Sequence, residues 1–515
     1  MPSLDRLDGA SERLADFLER RRTVLLGLAT LLYFGLTGSI AARRPLWYDE
    51  LFTQFVAGLS GPSEIWGVMK SGLDSNPPLY HLAAHFARLA FGDGPVALRL
   101  PAMAGYWVMS LCLYRLAARR SGALFGWLAL LIPITTEASK YAYEARPYGL
   151  LLGLGGLSLV FWQAATEPEE RRYRLAAPGL AVVLAAALAT HFYAVLLFVP
   201  LAAAELVRAV ERRRLDVQIG LAFAAGASAL LPLKPLIDQA KARVAGFWAK
   251  PVWANLPTTY SCELLSQTVL PLLAGAVLLA LLRTNLPGKR VETDTGESEG
   301  PARTPRAEVV AYAGFVALPI VAMVLGKFVT GVYATRYVLP SVLGLSLLAT
   351  LLASRLARGR SCAGAGLVLI FLIWSGAIGA YQLANANGKH RALDARIARL
   401  AAEGETGTPI VVADPIQYFQ LDHYSPPPLA NRLVYVAFDA TTATTASAQR
   451  ELRALKRRAP LNVVELGPFR RAHPRFLVSG SLNDDLIALL LAEGPGVRVQ
   501  LLKPDLFLVE QEAGR

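Results

Sequence analysis

Apolar runs long enough to cross a bilayer recur along most of the chain, and this recurrence constrains the fold more than any other feature. A bilayer core is crossed by about 20 apolar helical residues, and on that measure about eleven segments stand out. They lie at roughly 23–42, 96–115, 121–137, 147–165, 175–190, 192–209, 217–235, 265–282, 308–326, 337–354 and 362–381. The fifth and sixth are separated only by Thr190-His191-Phe192-Tyr193, which predicts a tight hairpin. A chain that is 54% hydrophobic and 18% charged over 515 residues is too apolar for a soluble protein. The expected fold class is a polytopic α-helical membrane protein.

The formal net charge of +13 sits in short loops between these runs. Such a pattern reports orientation and contact with anionic membrane lipids, not nucleic acid. Arg6, Arg13, Arg20-Arg21-Arg22, Arg119-Arg120, Arg171-Arg172, Arg212-Arg213-Arg214, Lys289-Arg290 and Arg355, Arg358 and Arg360 fall on one side, which is therefore expected to be cytoplasmic. Residues 1–22 form the cytoplasmic N-terminal segment, and the run from residue 23 reads as an uncleaved first span. The membrane domain is expected over 23–384, with a first outer loop at 43–95. An odd number of spans places the tail, 385–515, on the periplasmic side of the cell inner membrane. Strand-like runs at Pro409–Ala413, Asn462–Leu466, Arg475–Ser479 and Arg498–Glu510, with a helical stretch at Ser447–Arg458, predict a small soluble α/β domain there. It has no glycine-rich phosphate loop. The segment from Asn285 to Ala307 reads as a disordered cytoplasmic loop. Cys112, Cys262 and Cys362 lie far apart and suggest neither a disulfide framework nor a zinc site.

The unusual polar residues gather in the outer loops. Pro45-Leu46-Trp47-Tyr48-Asp49-Glu50 follows the first span, and Ser75-Asn76-Pro77-Pro78-Leu79-Tyr80-His81 opens a further apolar segment. Adjacent carboxylates beside aromatics at a bilayer edge point to a substrate site; a solvated helix cap is the alternative for Asp49. Lys140-Tyr141-Ala142-Tyr143-Glu144-Ala145-Arg146-Pro147-Tyr148 places two cations and three tyrosines before a span, although an interfacial belt with snorkelling cations would read the same way. Tyr333-Ala334-Thr335-Arg336-Tyr337 precedes the tenth span, and another loop carries Lys234, Lys241, Arg243 and Lys250 with Trp248 and Trp253. Cations on the outer side run against the usual charge asymmetry and imply an anionic ligand. His81 and His85 have the i, i+4 spacing of a metal pair, but the nearby acids lack matching ligand spacing, so no metal or cofactor is expected. His191 reads as structural on its own.

A carboxylate facing several cations suits a reaction in which an acceptor hydroxyl loses its proton while a phosphate departs. Arginine offers a bidentate fork for that phosphate, and lysine a point charge.

Trp47-Tyr48-Asp49-Glu50, Asn76-Pro77-Pro78-Leu79-Tyr80, Ala145-Arg146-Pro147-Tyr148, Thr190-His191-Phe192-Tyr193 and Arg336-Tyr337-Val338-Leu339-Pro340 resemble the bacterial family 39 C-type (GT-C) glycosyltransferases. That family is related to protein O-mannosyltransferases and to the aminoarabinose transferase acting on lipid A. The resemblance covers roughly residues 20–380. It implies an enzyme that takes a sugar from a polyprenyl-phosphate donor and transfers it, with inversion, to a hydroxyl of a lipid, glycan or protein acceptor on the outer face. It also implies Asp49 as catalytic base with Glu50 adjacent, and Arg146, Arg336, Lys140, Lys241 and Arg243 as candidates for the donor phosphate. Tyr48, Asn76, Tyr80, His81, Tyr143, Tyr148, His191, Tyr193 and Tyr337 would bind substrate, with no bound metal. The alternative is a transporter or flippase for polyprenyl-phosphate lipids, which predicts internal repeats and broken helices with charges near the membrane midplane. Here the charges cluster at span ends.

Overall fold

The computed structural model describes residues 2–74, 76–167, 173–285, 304–357, 360–403, 407–493 and 496–511. Every apolar segment expected to span is helical over most of its described length. Among the described residues, five helices are long and apolar enough to cross a membrane: Arg22–Arg43 (α1), Pro95–Ser121, Tyr148–Thr166, Phe192–Arg212 and Ser361–Ala401. Three further candidates are broken: Val217–Ala227 with Leu230–Gly246, Asn255–Leu265 with Val269–Leu282, and Arg306–Val316 with Leu318–Thr330, bent by 45°, 68° and 55°. Pro232, Pro271 and Pro319 stand just beyond the three breaks, where a proline ring clashes with the carbonyl four residues back and removes a helix hydrogen bond. Shorter apolar helices cover Ala123–Thr135, Leu175–Thr190 and Ser341–Ala357. The protein is thus a polytopic, mostly α-helical membrane protein. Most of the expected disordered loop, residues 286–303, lies outside the described residues, as do Ser75, Arg171, Arg172 and Arg358.

The first loop folds into short helices, Tyr48–Ala57 (α2) and Leu79–Phe91 (α3) among them, ahead of the span Pro95–Ser121 (α4). The helix Tyr148–Thr166 (α5) packs on α4 almost backbone to backbone. A Cβ on Gly105 would stand 2.4 Å from Leu150 Cα, and one on Gly153 would stand 2.4 Å from the Gly105 carbonyl oxygen. Small residues at such a crossing let dispersion and close packing act where lipid removes the hydrophobic driving force.

The final span, Ser361–Ala401 (α6), is one unbroken helix of 41 residues that runs through residue 385 and leads towards the α/β domain. There β1 (Ile410–Val412), α7 (Pro415–Tyr424), β2 (Leu433–Ala437), α8 (Ala443–Lys456), β3 (Val463–Glu465), β4 (Arg475–Ser479), α9 (Asp485–Ala492), β5 (Val497–Lys503) and β6 (Leu506–Gln511) build one sheet in the order β3-β2-β1-β4-β6-β5. The first four strands are parallel and β5–β6 is an antiparallel hairpin. The run Arg498–Glu510, read as one strand from sequence, is two strands divided at Pro504-Asp505, and β2 escaped the sequence reading. Proline lacks the N–H a continuing strand needs. The domain sits directly on the first loop: Leu46, Tyr48, Leu51, Phe52 and Val56 share one buried apolar cluster with Tyr418, Phe419, Leu452 and Leu455. The Phe52 and Phe419 rings meet edge to face at 5.2 Å.

Candidate active site

Glu50 and Asp49 are neighbours in sequence with opposite fates. Glu50 is fully buried and accepts from Arg99 through two bonds, Nε to Oε1 at 2.7 Å and Nη2 to Oε2 at 2.6 Å. The Ala145 N–H at 2.6 Å and the Trp47 N–H at 3.3 Å occupy its remaining acceptor sites. Arg99 also donates to the Ala41, Arg44 and Pro45 carbonyls at 2.6, 2.8 and 3.3 Å. Burial pushes the Glu50 carboxyl up, but the Arg99 guanidinium outweighs it and holds the group below the ordinary carboxylate range. Glu50 therefore pins the start of α2 to α4 and to the loop before α5, with no oxygen turned to a substrate.

Asp49 points the other way, 21% exposed, and its Oδ2 lies 3.7 Å from Arg146 Nε, too far for a hydrogen bond. Arg146 is buried and donates through Nη1 to Asp74 Oδ2 at 3.1 Å and to the Asp49 carbonyl at 3.3 Å. Asp74 Oδ1 accepts from the Asn76 backbone N–H at 3.0 Å and its Nδ2 at 2.8 Å, while His81 Nε2 stands 3.2 Å from Oδ2. Burial raises the Asp74 carboxyl, and Arg146 with His81 more than reverses this, so Asp74 is held well below the usual range. The turn before it depends on Gly72, at φ +75°, over which the Arg243 guanidinium packs.

Arg336 forms a second cationic wall, its guanidinium carbon 5.3 Å from the Trp248 ring centre and 5.9 Å from that of Tyr148. The Tyr148 hydroxyl and, against the effect of burial, Asp49 raise its pKa. His191 lies 5.5 Å from Tyr148 and 4.9 Å from Tyr337, ring centre to ring centre, and the Tyr193 ring lies 4.6 Å from that of Tyr337, tilted by 36°. His191 Nδ1 accepts from the Tyr193 N–H at 3.1 Å. Burial, then Arg146 and Arg336, push this imidazole down to about 3, so it is neutral at ordinary pH. Among the described residues, neither Arg146 Nε nor Arg336 Nε has a hydrogen-bond partner, although both atoms are buried.

Asp49, Arg146, Arg336, Tyr148, His191, Tyr193 and Tyr337 thus come together from four separate segments of the chain. Other candidates lie elsewhere. Lys140 is half exposed and pairs with Glu137. Lys241 is exposed. Tyr80 is buried and donates to the Leu98 carbonyl at 3.2 Å, and Tyr143 lies under Arg44 at 5.6 Å. Tyr48 turns into the α/β domain, donating to the Ala448 carbonyl at 3.1 Å and Glu451 Oε2 at 3.0 Å. Among the described residues, Asn76 and His81 connect to the site through Asp74. Asp74 and Arg99 were not anticipated from sequence. The signal for Arg99 was available, since a charge inside an apolar span is rarely idle; Asp74 had only its place two residues before Asn76-Pro77. Among the described residues, no three His, Cys, Asp or Glu side chains gather as a metal-ligand set.

The arrangement offers a carboxylate able to take a proton beside two guanidinium groups that lack a full set of acceptors. Among solved structures, the crystal structure of ArnT from Cupriavidus metallidurans in the apo state matches with a TM-score of 0.56 at 13% identity, over 95% of this chain and 98% of that one. The fold is shared with ArnT. The structure of ArnT bound to undecaprenyl phosphate matches with a TM-score of 0.52 at 13% identity, over 95% and 97% of the two chains. That coverage takes in the membrane helices and the α/β domain alike, so both parts belong to the architecture that ArnT also has. No protein-family model and no curated protein matches the sequence.

Proposed function

We propose that this protein is a glycosyltransferase that moves a sugar from a polyprenyl-phosphate donor to an acceptor hydroxyl on the outer face of the membrane, with inversion at the anomeric carbon. The observation that carries the reading is the two buried guanidinium Nε–H groups, of Arg146 and Arg336, that make no hydrogen bond, with the part-exposed carboxylate of Asp49 3.7 Å from the first. A buried donor left unsatisfied costs about 1–3 kcal/mol, and more when charged, so the site is built for an anion that supplies the missing acceptors. The shared fold with ArnT, a protein whose structure is known with undecaprenyl phosphate bound, makes a polyprenyl phosphate the anion of choice.

In this reading the acceptor oxygen attacks the anomeric carbon and its proton passes to Asp49. The bond from the anomeric carbon to the phosphate oxygen breaks, and the electron pair leaves on the polyprenyl phosphate. Arg146 and Arg336 hold that phosphate as its charge develops. It departs as a stable anion, so no general acid is needed. Asp74, already paired with Arg146, orients the guanidinium, and Glu50 fixes the backbone that presents Asp49. Tyr148, His191 and Tyr337 line the donor side. All eleven apolar segments cross the membrane, the N-terminus is cytoplasmic, residues 23–384 are the catalytic domain and 385–515 face the outer side with the site.

The test is to incubate the purified protein with undecaprenyl-phosphate-linked hexoses and pentoses in a membrane-lipid extract and to follow free undecaprenyl phosphate. Release above a protein-free control, with a new glycosylated product by mass, is expected. No release with any donor, despite undecaprenyl phosphate binding, contradicts transfer and favours a lipid carrier.

A further inference from the structure

The α/β domain meets the first loop through α7, whose Phe419 ring lies 5.8 Å from that of Tyr48, and through α8, which also extends to the Arg336 side. On α8, the Ala448 carbonyl and Glu451 Oε2 both accept from the hydroxyl of Tyr48, the residue next to Asp49. One residue away, Arg450 Nη2 donates to the Gly246 carbonyl at 2.8 Å. Gly246 lies two residues before Trp248, the ring that faces Arg336, and the neighbouring Ala249 carbonyl accepts the Tyr333 N–H at 2.9 Å. Leu452 and Leu455 of the same helix pack in the cluster that holds Phe52 and Val56 of α2. One helix therefore grips both the Asp49 wall and the Arg336 wall, which are far apart in sequence.

We infer that α8 of the α/β domain is a working part of the site, with Glu451 positioning Asp49 through Tyr48 and Arg450 positioning Arg336 through the Gly246–Trp248 turn. The inference rests on the reading of Asp49 as base and Arg336 as phosphate contact. Neither α8 residue touches the reacting atoms; both act through others. The two contacts divide the labour. The Tyr48 contact governs the direction of the Asp49 carboxylate and so the chemical step, whereas the Gly246 contact governs the aromatic backing of Arg336 and so engagement of the donor. The surroundings of Glu451 agree: besides Tyr48, the groups acting on it are Asp49, Asp74 and Arg146, all members of the site.

Full-length Glu451→Ala, Glu451→Gln, Arg450→Ala and Asp49→Asn proteins test this. Turnover is read with the undecaprenyl-phosphate-linked sugar, and affinity with undecaprenyl phosphate alone. Glu451→Ala is expected to lower kcat about tenfold with KM for the donor within about twofold. Glu451→Gln, which keeps an acceptor for Tyr48, is expected to restore kcat to within about twofold. Arg450→Ala is expected to raise the Kd for undecaprenyl phosphate about fivefold with little change in kcat. Full activity of both alanine variants, or equal losses in Glu451→Ala and Glu451→Gln, overturns the inference. Should Asp49→Asn turn over normally, the functional reading itself fails; a dead Asp49→Asn beside unimpaired α8 variants removes only the role of α8.

Discussion

Arg99 grips Glu50 with two hydrogen bonds of 2.7 and 2.6 Å, and neither side chain touches solvent. Removing one partner of such a buried pair strands the other charge and costs about 3–5 kcal/mol. Glu50→Ala and Arg99→Ala are each expected to lower the melting temperature of the purified protein strongly, whether or not donor is present. If Glu50→Ala melts like the wild type, Glu50 is not the anchor described.

The crossing of α4 and α5 is expected to be intolerant of a single methyl group. A Cβ on Gly105 meets Leu150 Cα and one on Gly153 meets Gly105, in both cases backbone that cannot move aside. Overpacking of this kind costs about 1–3 kcal/mol. Gly105→Ala should therefore lower the melting temperature, whereas Gly27→Ala on α1, with open space around its Cβ position, should not. Equal behaviour of the two variants contradicts the close crossing.

Burial, and after it the Asp49 carboxylate, pushes the Glu451 carboxyl up from the ordinary 4.5 to about 7, in a setting that also contains Tyr48, Asp74 and Arg146. Because the folded-state value is raised, the stabilising contribution is complete below the unfolded value and is lost as pH rises through about 7. The melting temperature of the wild type relative to Glu451→Gln should thus fall between about pH 5 and about pH 8. A constant difference across that window would show that Glu451 titrates like a free carboxyl.

Arg336 is expected to bind phosphate through its fork as well as its charge. A hydrogen bond to a charged group contributes about 1.5–3 kcal/mol, so Arg336→Ala should weaken undecaprenyl phosphate binding by about ten- to a hundredfold, with Arg336→Lys recovering only part. Arg336 is the cleaner probe because Arg146 also holds Asp74. Wild-type affinity in Arg336→Ala would remove it from the phosphate site.

The helices were legible because lipid imposes one rule on every span, and a run such as Phe192–Arg212 or Ser361–Ala401 satisfies it visibly in composition. The breaks were less legible: Pro232 and Pro319 lie inside runs that read as single spans, and apolar composition does not register a lost hydrogen bond. Asp49, Arg146 and Arg336 were readable as charges at span ends. Their being one constellation was not, since it depends on how loops about a hundred or more residues apart fold over one another. The family resemblance ranks Asp49 ahead of Glu50, but the residues themselves do not tell which carboxylate faces inward; Arg99 decides that, 49 residues away. Glu451, 403 residues from Tyr48, carries no local signal at all.

The central claim is that Asp49 takes the acceptor proton while the cations hold the donor. Single-turnover transfer from an undecaprenyl-phosphate-linked sugar, measured beside undecaprenyl phosphate affinity in the same Asp49→Asn preparation, tests it most directly. General-base catalysis contributes roughly 10²–10⁴-fold, so the rate should fall by at least about a hundredfold while Kd stays within about threefold. Transfer at the wild-type rate with unchanged affinity would contradict the account.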